Sequence, residues 1–272
     1  MELNHAFDGL GLKERKEEAQ LLVRGFTSIN IALDKRSKRL DEEQEEQLNV
    51  FWKKYQAGHP EDVNGSVLSL KQYCIKKKEL CLTVRPSNFA SHLATQPRRP
   101  SRLAFTGGSM DNNYPLALSV GAVTTTTDDC MVFCKRTKTA FNSEEYTLPP
   151  GGYLNLDDKF CQNDIQYISA VKGIRREYLE ELSGLGDCFN ISLLGLVYSC
   201  IGSRQPLIAV ELKIPYSKKE VEAMLNSTKQ DWEMGKFHFV PTSMAKLREF
   251  AQNHYLCTHD VWKLALWVSK NL

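Results

Sequence analysis

The sequence predicts an α/β protein that carries a smaller α+β extension at its N-terminus. Three observations lead there. A helical pattern over 171–185 separates an apolar stripe from a row of acids. Segments rich in β-branched and apolar residues lie on both sides of that helix. A stretch from Gln96 to Asn113, broken by Pro97, Pro100, Gly107 and Gly108, reads as a loop joining two parts. We therefore expect an extension over 1–108 and a main domain over 109–272.

In the extension, 12–24 reads as a charged helix with Ala19, Leu22 and Val23 inward. Asp41 caps a second helix through Leu48, Phe51, Trp52 and Tyr55, which Gly58 and Pro60 end. Its acidic start and its Lys53 and Lys54 near the end complement the helix dipole. Segments 66–75 and 79–84 alternate around Lys76, Lys77 and Lys78, the pattern of a hairpin with a basic tip. Residues 87–96 form a short helix capped by Ser87. The joining loop bears Arg98, Arg99 and Arg102, which could contact a diphosphate or its nucleotide.

The main domain opens with an apolar strand from Ala117, a threonine run (124–127) turning at Asp128 and Asp129, and a second strand to Lys135. A strand and turn then deliver Leu148-Pro149-Pro150-Gly151-Gly152. Beyond the central helix, 191–200 and 207–214 are strands separated by Gly202-Ser203-Arg204, and 237–240 is a short strand. Helices follow at 244–253 and 261–268, the second with Trp262, Ala265 and Leu266 on one side.

On the central helix Glu177, Glu180 and Glu181 stand at i, i+3 and i+4 and share a face. Like charges that close repel by a few tenths of a kcal/mol per pair, so the cluster calls for a positive partner. Three hard oxygen donors suit Mg²⁺, with Mn²⁺ as a substitute. Val171, Ile174, Tyr178, Leu182 and Leu185 form the stripe to bury, and Arg176 lies four residues before Glu180, placed to pair with it.

This constellation resembles the Nudix box, G-x5-E-x7-R-E-U-x-E-E-x-G-U with U aliphatic. Arg176, Glu177, Glu180 and Glu181 match its charged half, with Tyr178 at the aliphatic position, and Gly152 matches its opening glycine. Three departures stand out. Ile168 occupies the place of the first glutamate; the spacing from Gly152 to Arg176 is 24 rather than 14, an insertion around 155–163; and one extra residue precedes Gly184. The resemblance covers roughly 109–272, and the weakened box, the insertion after Gly-Gly and the extension look most like the branch that hydrolyses UDP-sugars. It implies an α/β/α sandwich with a mixed sheet, and Mg²⁺ held by Glu177, Glu180, Glu181 and the Gly152 carbonyl. It further implies Arg176 as a positioning residue and a nucleoside diphosphate derivative as substrate.

Other residues fill in that expectation. Glu180 or Glu181 is the local candidate for a general base, with Glu211 or Asp231 as alternatives from later segments. Within the insertion, Asp164 reads as the helix cap, and Asp157 or Asp158 as lying near the site entrance, where one could offset the loss at Ile168. Trp232, Phe237, Phe239 and Tyr255 could stack on a base but read first as core packing, and His238, His254 and His259 show no ligand spacing.

Composition excludes other classes. A net charge of +2 over 272 residues gives no global field for nucleic acid or an anionic membrane. No apolar run approaches the ~18 residues of a membrane span, and the first residues lack the basic and apolar regions of a signal peptide. Eight cysteines without Cys-x-x-Cys pairing read as reduced and largely buried, as in a cytoplasmic protein. Two function classes follow: a metal-dependent hydrolase of a nucleotide sugar, of ADP-ribose or of a dinucleoside polyphosphate, and a non-catalytic module that binds a nucleotide or a protein.

Overall fold

Every side chain of strand β5 (Ser119–Thr125) is buried, Val120 and Ala122 in one core and Val123 in another. A strand covered on both faces belongs in the middle of a layered fold. The computed structural model describes residues 2–34, 42–96, 115–138, 144–162, 165–199, 205–228 and 233–272.

The main sheet runs β1 (Ala19–Val23), β11 (Asn190–Ser199), β12 (Pro206–Lys213), β5, β6 (Cys130–Arg136), β13 (Met234–Pro241), with β7 (Tyr146–Thr147) beside β6 and β8 (Gly151–Tyr153) beside β5. It is mixed: β12 and β5 are parallel and the other pairs antiparallel. A second mixed sheet runs β3 (Ser66–Lys76), β4 (Glu79–Asn88), β2 (Ser28–Leu33), β10 (Ile165–Ile168), β9 (Lys159–Gln162), with β4 and β2 parallel.

Helices cover the main sheet on both sides, as the α/β/α expectation required. Helices α1 (Leu3–Leu10), α6 (Met244–Asn253) and α7 (Thr258–Asn271) share one core with Val123, Phe133 and Val197, in which Phe7 meets Trp262 edge-on at 4.8 Å. Helices α4 (Ala170–Glu181) and α5 (Lys218–Ser227) share the other with the second sheet, through Ile174, Tyr178, Val221 and Leu225. Both sheets draw strands from either side of residue 108, so the segments 1–108 and 109–272 contribute to the same cores.

Several expectations give way to pairing. The helix expected over 12–24 is instead a 3₁₀ turn (Lys13–Glu18) and strand β1, because β11 offers an edge that Leu22 and Val23 pair with at Val197 and Leu196. Local propensity is the weaker term there. The expected hairpin is present, with Lys77 at positive φ in its tip, and α2 (Glu42–Gln56) is present with no fully buried residue. Helix α3 (Phe89–Thr95) is capped by Asn88, which accepts from the Ser91 N–H at 2.8 Å, whereas Ser87 is held in β4 opposite Val67. Helix α7 is longer than expected and buried nearly all round. Strand β2 and helices α1 and α5 were not expected, although Ser217 and Glu220 form a capping box at the start of α5. Of the described cysteines, Cys130, Cys134 and Cys257 are buried, whereas Cys161 and Cys188 are exposed, a correction to the expected burial.

The described part of the insertion, 155–162, forms two elements. A 3₁₀ turn, Leu156–Asp158, is closed by a capping box between Asn155 and Asp158, and β9 and β10 form a hairpin whose second strand pairs with β2. Ile168 is therefore a strand residue, buried opposite Ile31, and not part of the helix. The cap of α4 is Ser169, whose Oγ accepts from the Lys172 N–H at 3.1 Å; Asp164 lies outside the described residues.

Candidate active site

The glycine turn is fixed from α7. Asp260 and Lys263, one helical turn apart and both about 4% exposed, pair at 2.6 Å. Lys263 Nζ donates to the Leu148 carbonyl at 2.6 Å and Asp260 accepts the Leu148 N–H at 3.0 Å, so the pair holds both polar groups of one peptide residue. Thr124 Oγ1 donates to the Pro149 carbonyl at 2.7 Å and the Ala122 N–H to that of Pro150 at 2.8 Å. Gly151 and Gly152 are thereby laid along β5 facing α4. A Cβ on Gly152 would overlap the Glu177 carboxylate, so any other residue there would displace that carboxylate.

Helix α4 puts its acids in unequal places. Ile174, Tyr178, Leu182 and Leu185 are buried as expected, but Val171 is 45% exposed, and the buried face turns instead through Gly173, Glu177 and Glu181. The Glu180 side chain is 53% exposed. Burial, ahead of the charge of Glu180, pushes the Glu177 carboxyl up to about 7 against the pull of Arg176. Burial also raises Glu181 well above the carboxylate range, with Glu177 and Glu233 adding repulsion. Glu181 accepts one hydrogen bond, from the Gly151 N–H at 3.2 Å. Arg176 spans the region: Nη1 donates to Glu177 at 2.5 Å and lies 3.8 Å from Glu180, while Nη2 donates to the Tyr153 carbonyl at 2.8 Å and to Asp158 at 3.3 Å.

These groups line a cleft of ≈ 450 Å³. Its acidic wall is Glu177, Glu180, Glu181 and Glu233, the last paired with Arg136. The N-terminal segment lines the cleft too, with Val67, Phe89 and Leu93 and with the acids Glu61 and Asp62. Phe89 and Tyr153 lie 5.6 Å apart. His259 also lines the cleft, its imidazole pushed down to about 4 by burial.

The sequence reading thus named Gly152, Arg176, Glu177, Glu180 and Glu181, and all five line one cleft. It missed Arg136, Glu233, Asp260 and Lys263, which lie far along the chain and carry no motif. Arg98, Arg99, Arg102, Asp231 and Trp232 lie outside the described residues. Glu211 is not in the cleft: it is buried under Trp267, whose Nε1 donates to it at 2.8 Å. Tyr255 is 64% exposed, Phe237 and Phe239 pack on the core, and threonines 124–126 are buried and bonded within the fold. Asp128 and Asp129 form the expected turn, and Asp128 accepts the Lys218 N–H at 2.8 Å.

Among the described residues, no three His, Cys, Asp or Glu side chains converge on a ready-made metal site. The donor chemistry nonetheless fits a divalent cation. Glu177 and Glu181 are buried, their proton affinity raised chiefly by that burial, and offer hard oxygens beside a glycine backbone, so a bound cation would relieve a charge that desolvation makes costly.

No protein-family model matches this sequence, and no curated protein matches it. Solved structures do align with part of the fold. A MutT protein from Methanosarcina mazei Go1 shares 18% identity over 57% of this chain and 94% of its own, at a TM-score of 0.40. A bifunctional NMN adenylyltransferase/ADP ribose pyrophosphatase from Francisella tularensis, complexed with AMP and a Mn ion, shares 13% over 66% of this chain and 45% of its own, at 0.36. An Ap4A hydrolase from C. elegans shares 10% over 56% of this chain and 98% of its own, at 0.33.

Proposed function

We propose that the protein is a Mg²⁺-dependent hydrolase that cleaves the pyrophosphate of a nucleoside diphosphate linked to another moiety. The favoured substrate is a UDP-sugar, giving nucleoside monophosphate and sugar 1-phosphate. The observation that carries this reading is the pair of buried glutamates, Glu177 and Glu181, set against the Gly151-Gly152 turn in one cleft. Glu177, Glu181, the Gly152 carbonyl and Glu180 would hold the cation. Bound there, it would screen the phosphate oxygens and acidify an attacking water. Water adds to one phosphorus and the bond to the bridging oxygen breaks. Glu180, at the mouth, would take the water's proton. Arg176 fixes Glu177, and Arg136 offers positive charge to the departing phosphate.

A second reading, a nucleotide-binding module without turnover, is favoured by Ile168 and by the lack of three converging acids among the described residues. One screen separates them: UDP-sugars, ADP-ribose and dinucleoside polyphosphates with Mg²⁺ or Mn²⁺, scored by phosphate release after phosphatase coupling. Turnover that disappears in E181Q supports the hydrolase. Binding with no turnover on any substrate leaves the module.

A further inference from the structure

Arg176 lies 3.8 Å from Glu180, the partner its spacing suggests, and is anchored more closely elsewhere. The anchor comes from the insertion. Asp158, at the end of the 3₁₀ turn and only 2% exposed, has its one ion pair among the described residues with Arg176. Its Oδ2 also accepts the Asn155 N–H at 2.9 Å, and its carbonyl accepts the Ser169 N–H at 2.9 Å where α4 begins. The turn seats directly on the helix because residue 173 is glycine. A Cβ there would overlap Leu154 and come within 3.3 Å of the Asp158 carboxylate.

A cap alone does not explain this residue. Closing the turn needs one acceptor oxygen, which an asparagine supplies as well, whereas a carboxylate in so dry a place needs a cation. The guanidinium supplies it through Nη2, which also donates to the Tyr153 carbonyl, while Nη1 donates to Glu177.

We infer that Asp158 is a positioning residue: from the inserted turn it holds Arg176, and through Arg176 the Glu177 carboxylate. The inference rests on the proposed metal-dependent reading for its consequence, but the hold on Arg176 is testable without it.

Three variants and two measurements decide the matter. D158N keeps an acceptor for Asn155 and loses the charge. It should unfold near the wild-type temperature, lose the resolved guanidinium NMR signals of Arg176 (assigned from their disappearance in R176Q), and bind Mn²⁺ about tenfold or more weakly by calorimetry. In an R176Q background, D158N should cost no further Mn²⁺ affinity, as expected of a residue that acts through Arg176. D158E, which keeps the charge, should bind Mn²⁺ better than D158N. Unchanged Arg176 signals in folded D158N overturn the inference, as do additive losses in the double variant or a D158E weaker than D158N. If D158N does not fold, D158E is compared with wild type by the same two measurements: altered Arg176 signals together with weakened Mn²⁺ binding support the inference, and altered signals with unchanged Mn²⁺ affinity overturn it. Should wild type bind no Mn²⁺, the proposed function fails on its own, and the guanidinium signals alone decide the role of Asp158.

Discussion

Two pairs of buried charges face one cleft, and they are built differently. On α7, Asp260 and Lys263 are opposite in sign, 2.6 Å apart, and both bonded to Leu148. On α4, Glu177 and Glu181 are alike in sign, and among the described residues Glu181 accepts from the Gly151 backbone N–H. The first pair is complete within the protein and serves architecture, delivering the glycine turn. In the second, Arg176 holds Glu177, Glu181 has no ion pair among the described residues, and burial raises the proton affinity of both acids. Burial therefore does not distinguish a structural charge from a functional one; the state of its partner does.

Breaking the α7 pair should have the largest effect. K263M leaves Asp260 buried and uncompensated, and should lower stability to urea by about 3–5 kcal/mol. Replacing both residues, as in D260N/K263M, should recover part of that loss. A double variant as unstable as the sum of its singles would break the comparison.

Metal-free protein should show the opposite behaviour on α4. The Glu177 carboxyl is raised from its ordinary value to about 7. Its folded state therefore holds a proton that the unfolded state gives up. Stability from this group is full below about 4.5 and is lost as pH rises through about 7, by up to about 3 kcal/mol. In chelator, denaturation midpoints should decline across that window in wild type and stay flatter in E177Q. Equal slopes would remove Glu177 from the account.

Mg²⁺ should reverse the penalty. At a hundred times its dissociation constant it should stabilise wild type by about 2.7 kcal/mol, read as a rise in Tm. E181Q should lose that rise while being no less stable than wild type in chelator. A full Mg²⁺ response in E181Q would sink the cation site. The smallest effect belongs to Glu180, half exposed at the mouth. E180Q should move stability by no more than about 0.5 kcal/mol. Its turnover on the substrate found by screening should nonetheless fall.

What the sequence disclosed and what it hid follow from range. Helix α4 and the β3–β4 hairpin were legible because their periodicity is local, and the five box residues because their spacing on one helix and turn is local too. Strand β1 was misread because its partner, β11, lies some 175 residues on, and pairing there outweighs helical spacing. Val171 fits the apolar stripe by number, yet at the first turn of α4 nothing covers it fully. Asp158 could be named as an acid of the insertion, but its hold on Arg176 depends on Gly173 and on a turn whose fold no spacing rule gives. Lys263 and Asp260 look like ordinary helix-surface charges at i, i+3, and only tertiary burial of α7 makes them an anchor.

The sharing of strands across residue 108 has a consequence for anyone wishing to trim the chain. A fragment beginning at 109 would strip β1 from β11 and β2 from β10, uncovering two strand edges at once. Bare edges recruit other chains, so such a fragment should precipitate or swap strands rather than behave as a minimal enzyme. The first hundred residues are less an appendage than the selvage that keeps both sheets from unravelling into their neighbours.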